Sequence, residues 1–395
     1  MNTSIQNDLP LLSLPMGAVL LAQFFSAFGD NALLIAAIAL VKADGHAGWI
    51  PLLQAFFVIP FILLAPFVGA LADAFPKGRV MLFANGLKLI GASSLAVGAP
   101  PLLCYGMAGV GAAAYSPAKY GILSQLFGPE KLVKANGMLE GSTIVAILLG
   151  VLAGGWLADH SLAWAFTGVI GVYALAALIN LLIPRLPAEH PLDRFDFGGL
   201  LRQFLVSARA LWRDKDSRFS LIGTSLFWGT GSTLRLLLFA WVPVALGIAS
   251  NQMPANLMGV VSIGIVIGAA LAGMLIKLEN VNRALFGGLL LGPLVLLFAQ
   301  QTTLIPAALL LAAIGAAGGL FVVPLNALLQ ERGHQSIGAG RALAVQNLWE
   351  NLAMLVFVGV YALAGGLPVV QTAIGFGVLV LAGLGLLALA RIRGH

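Results

Sequence analysis

The sequence predicts an all-α polytopic membrane protein of twelve transmembrane helices in two six-helix halves. Three observations predict it. Of 395 residues, 60% are hydrophobic and only 9% charged, where a soluble domain carries about 25% charged residues. The apolar residues gather into twelve segments of about 20 residues, the length that crosses a hydrocarbon core. Lys and Arg concentrate in alternate loops, as the positive-inside rule requires. The 48 glycines fit the same class, because small residues let spanning helices approach closely.

The polar start, Met1 to Leu14, lacks a basic n-region and a small-residue cleavage site, so no cleavable signal is expected. Spans are expected at 15–41, 49–72, 80–98, 102–127, 135–158 and 162–183, with very short connections at Pro100-Pro101 and Asp159-His160. A longer loop follows, and six further spans are expected at 218–247, 256–276, 283–300, 304–329, 340–364 and 368–390. The expected organisation is therefore an N-terminal half over 15–183, a cytoplasmic linker over 184–217 and a C-terminal half over 218–391. Within the linker, Leu201, Phe204, Leu205, Ala208, Leu211 and Trp212 form one stripe at helical spacing, with Arg202, Arg209 and Arg213 off it. This pattern fits an amphipathic helix lying on an anionic cytoplasmic leaflet, and it equally fits a linker helix packed on the bundle.

One set of loops holds Lys77, Arg79, Lys131, Lys134, the run from Arg185 to Arg218, Lys277, Arg283, Arg332, Arg341, Arg391 and Arg393; the other holds only Lys42. Both termini are therefore expected in the cytoplasm. The net charge of +6 is explained by this asymmetry, and no nucleic-acid partner is expected. A single cysteine, Cys104, excludes an intramolecular disulfide. The chain has no phosphate-binding Gly-x4-Gly-Lys-Ser/Thr loop, no His/Cys cluster for a metal and no Gly-x-Ser-x-Gly elbow. An ATP-driven pump, a metal site and a hydrolase are not expected.

Six charges lie inside the apolar segments: Asp30, Lys88, Lys119, Glu140, Arg235 and Glu350. A charge in lipid is costly and must face a partner or a water-filled cavity. Three are acidic and three basic, so the set is able to neutralise itself. Asp30 lies near the middle of span 1, with Gln23, Ser26 and Asn31 nearby. It either binds substrate or anchors a helix pair through Lys88 or Lys119. Arg235 presents a planar fork suited to phosphate or carboxylate, or else holds a salt bridge to Glu350. Gln346 and Glu350 share a helix face, with Asn347 and Asn351 on an adjacent strip. Lys119 follows Pro117 in Tyr115-Ser-Pro-Ala-Lys119 and is also close enough to the cytoplasmic end to snorkel. Lys88 and Glu140 are expected as a supporting charge network. The pairs Gly137/Gly141 and Gly150/Gly154 have the spacing of packing seams.

The loop after span 2 reads Gly69-Ala-Leu-Ala-Asp73-Ala-Phe-Pro-Lys77-Gly-Arg79. It resembles the cytoplasmic signature of the major facilitator superfamily, with Ala74 and Pro76 departing from it. The resemblance implies a cytoplasmic gate formed by Gly69, Asp73, Lys77 and Arg79, with Gly69 permitting close helix approach. Longer strings narrow the resemblance: Gln23-Phe-Phe-Ser-Ala-Phe-Gly-Asp30-Asn31, Phe83-Ala-Asn-Gly-Leu-Lys88, Gly111-Ala-Ala-Ala-Tyr-Ser-Pro-Ala-Lys119, Lys131-Leu-Val-Lys-Ala-Asn-Gly, Gly223-Thr-Ser-Leu-Phe-Trp-Gly and Val322-Val-Pro-Leu-Asn-Ala-Leu-Leu-Gln-Glu-Arg-Gly333. By these the chain resembles the bacterial lysophospholipid transporter (LplT) family. The resemblance implies a flippase carrying lysophosphatidylethanolamine and related lysolipids from the outer to the inner leaflet of the bacterial inner membrane. A cytoplasmic-side acyltransferase is the implied functional partner, and membrane lipids surround the protein.

A lysophospholipid carries an anionic phosphate, often a cationic amine, and one apolar tail. The charge placement therefore nominates Asp30, Asn31, Tyr115, Lys119, Arg235, Gln346, Asn347 and Glu350 for a charged midplane cavity, worked by alternating access. No cofactor is expected. A coupling ion, Na+ or H+, remains open at this point, as does ion-free transport down a lysolipid gradient. The alternative reading is a proton-coupled exporter of drugs or other amphiphiles. A membrane-embedded lipid enzyme using Asp30 or Glu350 as acid or base lacks the partners such chemistry needs.

Overall fold

Long apolar runs without water can satisfy their backbone only within a helix, and helices are what the chain forms. The computed structural model describes residues 10–127, 129–188, 196–337 and 339–393. Among the described residues the helices are α1 (Leu14–Ala43), α2 (Ile50–Ala74), α3 (Lys77–Ala96), α4 (Pro101–Leu126), α5 (Pro129–His160), α6 (Leu162–Asn180), α7 (Phe197–Arg213), α8 (Lys215–Ala245), α9 (Gln252–Leu275), α10 (Ala284–Ala299), α11 (Leu304–Ser336), α12 (Ala339–Leu363) and α13 (Val369–Arg393). Twelve match the expected spans, and α7 is the linker helix. Positive-φ glycines stand just beyond three helix ends, Gly45 (φ 77°), Gly98 (φ 86°) and Gly247 (φ 68°), where a side chain is disfavoured.

Among the described residues nine helices contain a stretch long and apolar enough to cross a membrane on composition alone. The other three, α3, α4 and α8, are diluted by the polar residues that matter below: Asn85 and Lys88; Tyr115 and Lys119; Thr224, Thr230, Thr233 and Arg235.

The chain divides into two compact units, Met1–Ala47 with Ile59–Arg202 and Gly48–Val58 with Gln203–His395. In the first, α1 packs on α5 and α6, and α3 packs on α4 and α6. In the second, α8 packs on α12 and α13, and α10 packs on α11 and α13. These four pairings are the same by position within each half, while the extensive α9–α11 contact of the second unit has no counterpart of similar extent between α2 and α4.

Small residues set the closest seams. A Cβ on Gly150 would lie 2.5 Å from the Phe28 carbonyl oxygen, and one on Gly154 2.9 Å from Ala32 Cα, which fixes α5 against α1. In the second unit Gly264 and Gly268 of α9 face the backbone of Ala312 and Ala316, while Gly315 and Gly319 of α11 face Val261 and Ile265. Two expectations are corrected. A Cβ on Gly141 or on Gly69 would meet nothing within 4 Å, so neither glycine serves a close helix contact in this conformation. Gly137 lies within α5, but its packing is outside what is described.

The linker helix uses its inner strip for packing. Leu211 is buried in a cluster with Leu221, Leu329, Ala342 and Val345, and Phe204 and Ala208 pack against it. Trp212 stacks on Trp349 of α12 at 4.7 Å. Asp214 alone separates α7 from α8 and caps α8, its carboxylate accepting from the Ser217 amide at 2.8 Å and hydroxyl at 2.7 Å.

Candidate functional site

Asp30 is the centre of a buried polar network in the first unit. Its Oδ2 accepts from Lys88 Nζ at 2.7 Å, and its Oδ1 from the Tyr173 hydroxyl at 2.8 Å. Lys88 Nζ also donates to Ser26 Oγ at 2.9 Å. The Ser26 hydroxyl donates to Asn85 Oδ1 at 2.7 Å, and Asn85 Nδ2 donates to Asn180 Oδ1 at 2.8 Å. The Lys88 ammonium stands 5.1 Å from the Tyr115 ring centroid. Helices α1, α3, α4 and α6 therefore each supply a member. Gly29 makes room for it, since a Cβ there would lie 2.7 Å from Tyr173 Cε1.

Burial separates the two ions. The Lys88 side chain is 2% exposed and that of Asp30 is 19% exposed. Lys88 is sealed, while Asp30 keeps an open edge. Paired this way, the lysine satisfies the need of a charge in an apolar span for a partner, and the Asp30 side chain keeps part of its surface exposed.

The other first-unit residues fall around this network in different ways. Asn31 spends its amide on its own helix, donating to the Ala27 carbonyl at 2.8 Å. Gln23 ties α1 to α5 through Thr143 at 2.9 Å. Lys119 is half-buried with its ammonium 4.6 Å from the Tyr120 ring centroid. In the gate motif Lys77 is 1% exposed rather than lying free in a loop. It rests on Gly121, where a Cβ would be 3.1 Å from Lys77 Cδ. Arg79 is exposed. The side chains of Asp73 and Glu140 lie outside the described residues.

The second unit holds a separate polar cluster. Gln346 Nε2 donates to Asn326 Oδ1 at 2.6 Å and to Glu350 Oε1 at 2.7 Å. Gln346 and Glu350 are buried, and Asn351 donates to the Asn347 carbonyl at 2.7 Å. Arg235 is half-buried on α8. The Ser220 hydroxyl donates to the Leu325 carbonyl, joining α8 to α11 one residue before Asn326.

At the end of this unit Asp216 binds two arginines, Arg332 of α11 and Arg391 of α13, the latter at 2.7 Å. Arg391 also donates to Asn282 Oδ1 at 2.9 Å and lies 4.6 Å over the Phe219 ring. Burial alone raises the Asp216 carboxyl, but the hydrogen bonds and charges of Arg391 and Arg332 outweigh it and hold the group below the usual carboxylate range.

Sequence reasoning had nominated Asp30, Lys88 and the Gln346–Glu350 pair. It missed Tyr173 and Asn180, isolated polar residues in a largely apolar α6; it read Arg332 and Arg391 as loop charges only and did not single out Asp216. A carboxylate at one span start with arginines at two span ends was the available signal. Among the described residues no group of three or more His, Cys, Asp or Glu side chains is arranged to hold a metal.

The profile of the Major Facilitator Superfamily matches residues 19–358. The chain is 55% identical over 382 residues to lysophospholipid transporter LplT of Escherichia coli O1:K1, covering 96% of both sequences. The Shigella boydii serotype 4 protein of the same name matches equally. Among solved structures the chain resembles the nucleoside transporter NupG, with TM-score 0.74 and 12% identity over 97% of this chain and 99% of that one. A POT family transporter in complex with 5-aminolevulinic acid gives TM-score 0.73 and 13% identity over 96% of both chains. At such identities these two structures speak to the fold alone.

Proposed function

We propose a function on one premise: the chain belongs to the lysophospholipid transporter (LplT) family of the Major Facilitator Superfamily. It is accordingly a multi-pass membrane protein of the transporter type. Its substrate in this reading is a lysophospholipid, chiefly lysophosphatidylethanolamine, moved from the outer to the inner leaflet of the bacterial inner membrane. Both termini face the cytoplasm, where the basic loops lie. An acyltransferase on that side then restores the second acyl chain and keeps the flow downhill. The observation that carries the reading is the 55% identity over 96% of the chain, a stretch that includes both polar clusters.

In this reading each nominated residue takes a role that suits its chemistry. The open edge of Asp30 suits the ammonium of an ethanolamine headgroup, which competes with Lys88 for the carboxylate. Tyr115, whose ring lies 5.1 Å from the Lys88 ammonium, and Asn31, next to Asp30 in the chain, complete this end of the proposed site. Lys119 and Arg235 suit the phosphate, Arg235 through its fork. Gln346 holds Glu350 as an acceptor, with Asn347 alongside, for the second polar contact. Lys77 and Arg79, with Gly69 and Asp73, form the cytoplasmic gate. Since Lys88 is sealed, it tunes Asp30 rather than touching substrate.

The test is leaflet exchange of labelled lysophosphatidylethanolamine in liposomes holding the purified protein and no acyltransferase. Wild type is expected to flip the lipid, with Asp30→Asn and Arg235→Ala reduced at least tenfold while still folded. Flipping no faster than in protein-free vesicles, whatever sodium or proton gradient is imposed, overturns the reading in favour of amphiphile export.

A further inference from the structure

The linker helix α7 carries more apolar surface than the bundle uses. At 3.6 residues per turn, Phe204, Ala208 and Leu211 form the strip that packs on the second unit. Leu201, Leu205 and Trp212 form the neighbouring strip, and it is exposed, Leu205 by 56% and Leu201 by 41%. Beyond that strip, on the same side of the helix, come Arg202, Arg209 and Arg213, all exposed. The order across the helix is therefore packed apolar, open apolar, cationic.

We propose that the open strip of α7 is seated in the cytoplasmic leaflet, with Arg202, Arg209 and Arg213 gripping the phosphates of anionic phospholipids. Depth argues for lipid as the occupant. Asp214 alone joins α7 to the membrane-spanning α8, and the inner strip packs on residues at the ends of α11 and α12. The helix is thus held at headgroup level, where the medium beside it is phospholipid. Charge argues for anionic lipid, since arginine binds phosphate through a planar fork and a basic amphipathic face is drawn to an anionic surface. The contact is also wired inward. Trp212, at the end of the open strip, stacks on Trp349 at 4.7 Å, and Trp349 adjoins Glu350. The proposal rests on the orientation given above only in naming which leaflet is engaged.

The test places a spin label at Leu205→Cys, and separately at Gln203→Cys on the polar side, in full-length protein carrying Cys104→Ser. The protein is held in nanodiscs of phosphatidylethanolamine with or without phosphatidylglycerol. The label at 205 is expected to collide with oxygen in preference to an aqueous nickel chelate when phosphatidylglycerol is present; the label at 203 is expected to do the reverse. Each arginine contributes about fivefold to attraction for an anionic surface. Replacing all three by Gln is therefore expected to move the 205 label into water, with replacement by Lys retaining most of its depth. Added inorganic phosphate is expected to leave the depth unchanged, because the apolar strip needs acyl chains. Equal aqueous exposure at 203 and 205 in both lipids overturns the proposal. So does a 205 label that ignores the Gln triple variant, or one shielded only when a soluble protein is added. None of these readings depends on whether lysolipid is flipped.

Discussion

A lysine sealed inside a membrane helix persists here because Asp30 sits 2.7 Å away and Ser26 takes a second donor bond. Removing one partner of a buried ion pair leaves an uncompensated charge, which costs about 3–5 kcal/mol. Asp30→Asn with Lys88 intact is therefore expected to destabilise the protein more than the Asp30→Asn/Lys88→Met double variant, as read by unfolding in detergent. Tyr173→Phe removes one hydrogen bond to a carboxylate, a loss of about 1.5–3 kcal/mol, and is expected to lower transport through a freer Asp30. An unchanged melting temperature for Tyr173→Phe argues that the 2.8 Å contact contributes little. The sequence displayed Asp30 and Lys88 because charges stand out in apolar segments. It concealed Tyr173 and Asn180, since single polar residues in a span resemble packing variation until three-dimensional neighbours are known. It also suggested a close-contact role for Gly69 that open space around that residue does not support.

At the scale of elements, the seam between α9 and α11 is built from glycines whose absent side chains face backbone. Gly268→Leu is expected to abolish folded expression, whereas the same change at Gly141, with nothing within 4 Å, is expected to be tolerated; size-exclusion profiles of the two variants compare them. The Asp216 cluster binds the start of α8 to the ends of α11 and α13. Its carboxyl is held below the ordinary value, so its stabilising contribution is fully present above about pH 4 and is lost as pH falls through the lowered folded value. Asp216→Asn is expected to cost on the order of 1 kcal/mol at neutral pH and to remove that part of the acid sensitivity, measured by denaturation from pH 8 to pH 3. Span positions were legible because length and apolarity dictate them. Arginine partners were not, since a charge at a span end satisfies the topology rule whether or not it meets a carboxylate.

For the molecule as a whole, four helix pairings recur by position in both halves, α1–α5 with α8–α12, α1–α6 with α8–α13, α3–α4 with α10–α11 and α3–α6 with α10–α13. The proposed orientation has a direct check. In whole cells with Cys104→Ser, Asp44→Cys is expected to react with a membrane-impermeant maleimide, and Glu279→Cys only after the membrane is opened; the reverse pattern inverts the topology. The linker helix was left between two readings by its sequence, because a stripe at helical spacing does not say what covers it. The structure shows its inner strip on the bundle and its neighbour uncovered. The joint at Asp214 then has a mechanical meaning. With a single capped residue between them and Leu211 buried among residues of α8, α11 and α12, α7 is expected to move together with those helices as one lever whenever they tilt. A fluorophore on α7 thus becomes a gauge of the working stroke, read from outside the hydrocarbon and without touching the substrate path.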